Sequence, residues 1–181
     1  MTSEQLELLK YPIGKMQFPE HHPETYIQDW TDDIADFPQK LKNLVKNLDE
    51  SQLNTTYRPE GWTVRQVIHH LADSHTHAYI RFKWALTEEN PLIKAYNEKA
   101  SAQLPDSNKA PVEISLDYLN ALHSKWVYLL YTMDAADFQK TFRHPENYSE
   151  YTLLKCLAIY SWHGRHHYAH IEHLLRRRDW M

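Results

Sequence analysis

The chain has 181 residues, with 20 Lys and Arg against 24 Asp and Glu and a net charge of −4. That mixed balance gives no basic stripe for nucleic acid, and no apolar run approaches the ~18 residues of a membrane-spanning helix. A single cysteine, Cys156, excludes an internal disulfide framework and a zinc–thiolate cluster, whereas thirteen histidines leave imidazole chemistry open.

The length suits one domain able to bury a core without disulfides. Three glycines and the lack of sustained polar–apolar alternation favour long helices over sheet. The first residues lack a basic start followed by an apolar core, so a reducing, cytoplasmic setting is expected.

Residues 1–23 carry YPIG and then HHP without a sustained helical period, and they read as an extended arm lying over the domain formed by 24–181. His21 and His22, just before Pro23, are expected in solvent. From Glu24 the apolar spacing turns helical: Tyr26, Ile27, Trp30, Ile34 and Phe37, then Leu41, Leu44, Val45 and Leu48. This predicts a first long helix over 25–48. Pro38 lacks an N–H and disfavours helix at Phe37, so a kink or break is expected there.

A loop, DESQLNTTYRPEGW, leads to Thr63, which with Gln66 has the form of a capping box. Val64, Val67, Ile68, Leu71, Ala78, Phe82 and Leu86 then trace a second long helix to Thr87. Of its histidines, His69 falls opposite the apolar face and is a poor inward ligand. His75 sits near the centre of the stripe, where a hydrogen-bonded core histidine would also sit. His70 lies on the flank in a polar row with Ser74, His77 and Arg81, a row able to line a cavity between helices. The residue pattern leaves His70 and His75 both open.

Residues 91–111 are polar and irregular, with one short helix expected near 97–103. A third long helix is predicted over 113–133, with Leu116, Leu119, Leu122, Trp126 and Leu130 on one side. His123 in it has no spaced partner and reads as a core residue. Residues 134–151 read as a connecting loop with a short helical turn, and Thr152 as the cap of the last helix, which runs to 177.

That last helix carries WHGRHHYAHIEH, five histidines within Trp162 to His173. At ~100° per residue, Leu153, Leu157, Tyr160, Ile171, Leu174 and Leu175 gather on an inward face. His163 and His167 lie on or beside this face, one turn apart. His166 and His173 point away, and His170 is marginal. Two imidazoles at i and i+4 on a buried face can reach one metal ion from the same side. Cys156 falls on the inner side as a small core residue with no base beside it. Four long amphipathic helices make the fold class all-α, a four-helix bundle.

GWTVRQVIHHLADSHTHAYIRFKWALTEE, followed by YSWHGRHHYAHI, resembles the YfiT branch of the DinB/YfiT-like superfamily, described as metal-dependent hydrolases. The YPIG arm, the YRPEGWTVRQ entry to the second helix and the PENYSE connector extend the likeness over nearly the whole chain. The resemblance implies a four-helix bundle of the DinB/YfiT type holding one divalent ion, zinc or nickel, on three histidines. Carried onto this sequence, the ligands are His70, His163 and His167. It also implies a homodimer. Members close to this branch resemble bacillithiol S-transferases, which join a low-molecular-weight thiol to small-molecule electrophiles.

Three imidazoles leave a coordination position open, which marks a reactive site. In a thiol S-transferase the thiol sulfur would take that position. In a hydrolase a water would. A third reading is a non-catalytic metal-binding module for stress or interaction, and a fourth is a plain bundle with stacked core histidines. Asp73, one turn from His70, is a candidate to orient a ligand ring. Tyr160 and His170 are candidate hydrogen-bond donors near the pair, and Arg81 could meet a carboxylate of a co-substrate. No general base stands out.

Overall fold

The structure, a computed structural model, describes residues 2–19, 25–146 and 148–181. In chain order its elements are α1 (Ser3–Lys10), α2 (Thr25–Val45), α3 (Glu50–Leu53), α4 (Val64–Thr87), α5 (Glu98–Ser101), α6 (Pro105–Asn108), α7 (Val112–Thr132), α8 (Ala135–Gln139), β1 (Thr141–Arg143), β2 (Glu150–Thr152) and α9 (Leu153–Arg177). The four long helices α2, α4, α7 and α9 form the bundle. Each packs on two neighbours, in the cyclic order α2, α9, α4, α7.

Local chemistry fixes where α4 and α9 begin. The Thr63 hydroxyl accepts from the Gln66 amide at 3.1 Å while the Gln66 side chain accepts from the Thr63 amide at 3.0 Å, the expected capping box at the start of α4. The Thr152 hydroxyl accepts from the Lys155 amide at 3.1 Å and starts α9. Each cap contributes ~1 kcal/mol.

The core is two apolar clusters stacked along the bundle. One gathers Phe37, Leu41, Leu71, Leu119 and Ile171. The other gathers Ile34, Phe82, Trp126, Leu157 and Tyr160. On α4, α7 and α9 a histidine falls between the two sets: His75 between Leu71 and Ala78, His123 between Leu119 and Trp126, His163 between Tyr160 and Ile171. A polar layer therefore crosses the middle of the bundle.

Several elements depart from the sequence reading. The arm is not all extended: α1 forms behind a capping box of Thr2 and Gln5. It buries none of its residues, and an eight-residue element with no buried stripe leaves no period to detect. His21 and His22 lie outside the described residues. Helix α2 continues through Pro38 without a break. The donor that Pro38 lacks would have served the Ile34 carbonyl, and His123 Nδ1, 2.6 Å from that oxygen, stands in its place. The loop before Thr63 contains α3. The connector after α7 folds into α8 and an antiparallel hairpin pairing Thr141 with Thr152, Phe142 with Tyr151 and Arg143 with Glu150. Phe142, at the middle of β1, is buried in the second cluster.

Candidate metal centre

Helices α4 and α9 bring His70, His163 and His167 together, with one ring nitrogen of each within 4.8 Å of the others. His70 Nε2 and His163 Nε2 are 3.3 Å apart. The ring centroids of His167 lie 4.6 Å from His163 and 4.9 Å from His70. Burial decides the charge state. Desolvation lowers the His70 pKa to about 4. It drives His163 and His167 well below the ordinary value, helped by the neighbouring histidines. All three rings are neutral at pH 7, the form in which imidazole binds a cation.

The donor set fits a borderline divalent ion. Nitrogens ~2.0–2.1 Å from a tetrahedral zinc stand ~3.3–3.4 Å apart, and the His70–His163 separation has that value. Among the described residues no carboxylate or thiolate joins the cluster. Three neutral ligands leave the ion's charge uncompensated and a position free, which suits a reacting anion better than a closed structural site.

The cluster stands where two cavities meet. One, of about 690 Å³, is lined by Ser74, Arg81, Tyr96, Tyr160 and His163. The other, of about 760 Å³, is lined by Tyr57, Trp62, His70, His163, His167 and His170. His163, Glu98 and Lys99 belong to both walls. In the first cavity the Tyr160 oxygen accepts from Arg81 Nη1 at 3.2 Å and from Ser74 Oγ at 3.4 Å. Desolvation raises its pKa, so it stays a phenol whose own proton is free to be donated. The polar row of the second long helix does line this cavity through Ser74 and Arg81. His77 instead stacks on Tyr96 at 4.2 Å.

The remaining histidines differ from expectation in instructive ways. His69 does not reach the cluster, as anticipated, but it is buried rather than facing water. Its ring bonds the Ser115 hydroxyl at 2.7 Å and the Ala110 carbonyl at 3.2 Å, because the start of α7 covers that face. His166 also is buried, at 7% exposure. Its ring stacks on Trp162 at 4.3 Å, and the ring of Tyr11 in the arm lies 6.1 Å away. It makes no bond to the three-ring cluster. His123 is not a lone core residue. It bonds His75 at 2.9 Å, and His75 bonds His163 at 3.2 Å. His170 bonds His167 at 3.3 Å. Asp73 makes no bond to a ligand ring. The group near His70 Nδ1 is the Tyr96 hydroxyl, 3.4 Å away. Sequence reasoning missed Tyr96, which sits in the irregular stretch before α5 with no periodicity to place it. Cys156 is buried and desolvation pushes its thiol up to about 12, so it is an inert core residue.

A helical bundle with an imidazole-only, open-sided metal site is the class that this geometry defines. The family model of the DinB superfamily matches residues 34–171, and the chain belongs to that family. It is similar to a protein of Oceanobacillus iheyensis named "Putative metal-dependent hydrolase", 53% identical over 171 residues that cover 94% of this chain and 98% of that one. A Bacillus mycoides protein of the same name is 51% identical over 172 residues, covering 95% and 98%. Among solved structures, YfiT from Bacillus subtilis superposes with a TM-score of 0.93 at 45% identity, over 96% of this chain and 99% of that one. It is described as a probable metal-dependent hydrolase with an unusual four-helix bundle topology. No helix among the described residues is long and apolar enough to cross a membrane.

Proposed function

We infer that the chain is a metal-dependent enzyme whose ion is held by His70, His163 and His167, and that it transfers a low-molecular-weight thiol of the bacillithiol type to a small electrophile. The observation that carries this reading is the convergence of three neutral imidazoles on the wall of one cavity, with His163 also in the wall of an adjoining one. Two adjoining cavities that share one reacting centre can hold a thiol and an electrophile side by side, whereas a water needs no cavity of its own. A divalent ion, zinc or nickel, would supply Lewis acidity, lowering the pKa of a thiol or water at its open position.

The chain's own groups do the rest. His70, His163 and His167 carry no charge, so they leave the ion's full attraction for an incoming anion. Tyr160, backed by Arg81 and Ser74, offers its phenolic proton to negative charge developing in the first cavity. Trp62, 4.6 Å from the His70 ring, walls the second cavity beside the cluster.

Hydrolysis is the second reading, favoured by the names of the relatives at 53% and 51% identity. The deciding experiment loads the metal-free protein with zinc or nickel and assays electrophilic substrates with a panel of thiols. A product that contains the thiol supports transfer. A product that contains water, formed equally well without thiol, supports hydrolysis, and metal loading without turnover of either kind leaves a binding module. The protein is proposed to act as a homodimer in the cytoplasm, which sedimentation and cell fractionation test.

A further inference from the structure

Two lines of histidines lead away from the ligand rings, and each ends on a main-chain carbonyl. In the first, His163 Nδ1 lies 3.2 Å from His75 Nε2, His75 Nδ1 lies 2.9 Å from His123 Nε2, and His123 Nδ1 lies 2.6 Å from the Ile34 oxygen. In the second, His167 Nδ1 lies 3.3 Å from His170 Nδ1, and His170 Nε2 lies 3.1 Å from the Lys10 oxygen.

A carbonyl only accepts, and a neutral imidazole has one donor and one acceptor nitrogen. Each carbonyl therefore dictates the proton positions back along its line. Ile34 requires the proton of His123 on Nδ1, which leaves Nε2 as an acceptor. His75 must then donate from Nδ1 and accept at Nε2. His163 must donate from Nδ1, and its Nε2 lone pair is left bare. By the same steps Lys10 places the proton of His170 on Nε2, that of His167 on Nδ1, and leaves His167 Nε2 bare.

Both anchors are helix carbonyls without a helical donor. The partner of the Ile34 carbonyl would be the N–H of residue 38, which is Pro38. Lys10 is the last residue of α1, where carbonyls have no intrahelical donor. An awkward proline and a helix end thus become the fixed points of a hydrogen-bond order that reaches the metal site.

We propose that His75, His123 and His170 are positioning residues that set the tautomers of His163 and His167, so that both aim bare Nε2 lone pairs at a divalent ion, with Pro38 and the end of α1 freeing the anchoring carbonyls. The consequence for the ion rests on the ligand reading above. The tautomers are a property of the metal-free chain and are tested without it.

The first measurement is nitrogen NMR of the metal-free, full-length protein labelled at histidine, which reads the protonated nitrogen of each ring. Protonated Nδ1 and bare Nε2 are expected at His163 and His167; the opposite tautomer at either overturns the proposal, even if no variant folds. The second is zinc affinity by chelator competition in His123→Leu and His170→Phe, set beside His123→Gln and His170→Asn. The apolar variants are expected to weaken binding by about 10–100-fold. The amide variants should recover much of that loss, because an amide both donates and accepts. Equal losses in amide and apolar variants, or no loss in the apolar ones, overturn the proposal. Zinc retained by His163→Ala would instead sink the ligand reading while leaving the tautomers readable.

Discussion

Acid should destabilise the metal-free protein much more than a bundle with solvent-facing histidines. Five of the rings that burial holds neutral line the cluster and the layer behind it: His70 and His123 with pKa values of about 4, and His75, His163 and His167 well below 6.5. In the unfolded chain each titrates near 6.5. The folded state therefore binds fewer protons, and stability falls as pH drops below 6.5, until the folded rings titrate in turn near 4. Between pH 7 and pH 5.5 a ring that stays neutral in the fold while its unfolded counterpart charges loses ~1.2 kcal/mol. Five such rings together lose up to ~6 kcal/mol, which rivals the ~5–15 kcal/mol that holds a domain of this kind together. Urea titration of the metal-free protein at the two pH values measures it, with a midpoint drop of ~3 M expected at a slope of ~2 kcal/mol per molar. A loss no larger than ~1 kcal/mol, one ring's share, would show that the layer is hydrated and refute the reasoning.

Removing a ligand should separate metal binding from folding. His163→Ala or His167→Ala is expected to leave a folded bundle without stoichiometric metal by elemental analysis, whereas His166→Ala, whose ring makes no bond to the cluster, should load normally. Gly164→Ala places a Cβ 3.1 Å from the Phe37 ring. That ring is stacked on His75 at 5.6 Å and His123 at 5.8 Å and has little room to give. Overpacking of ~1–3 kcal/mol should outweigh the ~1 kcal/mol gained in helix propensity, lowering the melting temperature. Pro38→Ala restores a helical N–H to the Ile34 carbonyl, which must then be shared with His123. Zinc affinity by chelator competition should fall, by less than the ~10–100-fold expected on deleting the histidine itself; unchanged or tighter binding would show that the carbonyl is no anchor.

The four long helices were legible because each carries an apolar stripe of period 3.6 across five turns or more, and because Thr63 and Thr152 are recognisable caps. The hairpin was not, since three-residue strands such as Thr141–Arg143 alternate too briefly to be seen. Phase on the last helix selected His163 and His167 over His166 and His173. On the second long helix, phase could not choose between His70, on the flank of the apolar stripe, and His75, near its centre. In the fold His70 joins the cluster while His75 bonds the far nitrogen of His163 at 3.2 Å, and only the family likeness separated them in the sequence. His123 looked solitary because its partners lie 48 and 89 residues away. His166 was expected to point away from the inward face, and its burial was not foreseen because helical phase knows nothing of Tyr11 in the arm, 6.1 Å from its ring.

The histidine layer also explains why an internal proline suits α2. A bundle with Leu at positions 75, 123 and 163 would join the two apolar clusters into one core and be the more stable for it. The imidazoles forgo that gain, and every nitrogen they bring must find a partner inside the protein. A regular helix offers none, since its carbonyls are already bonded within it. A carbonyl released by a proline or by a helix end can terminate a line of buried rings, and the two lines here end at one of each. At the other end the bare Nε2 of His163 lies 3.3 Å from His70 Nε2, and a cation bound among the three rings would satisfy the lone pairs of all of them together. Stability and metal affinity are therefore set by the same hydrogen bonds and should respond in opposite senses when the layer is made apolar.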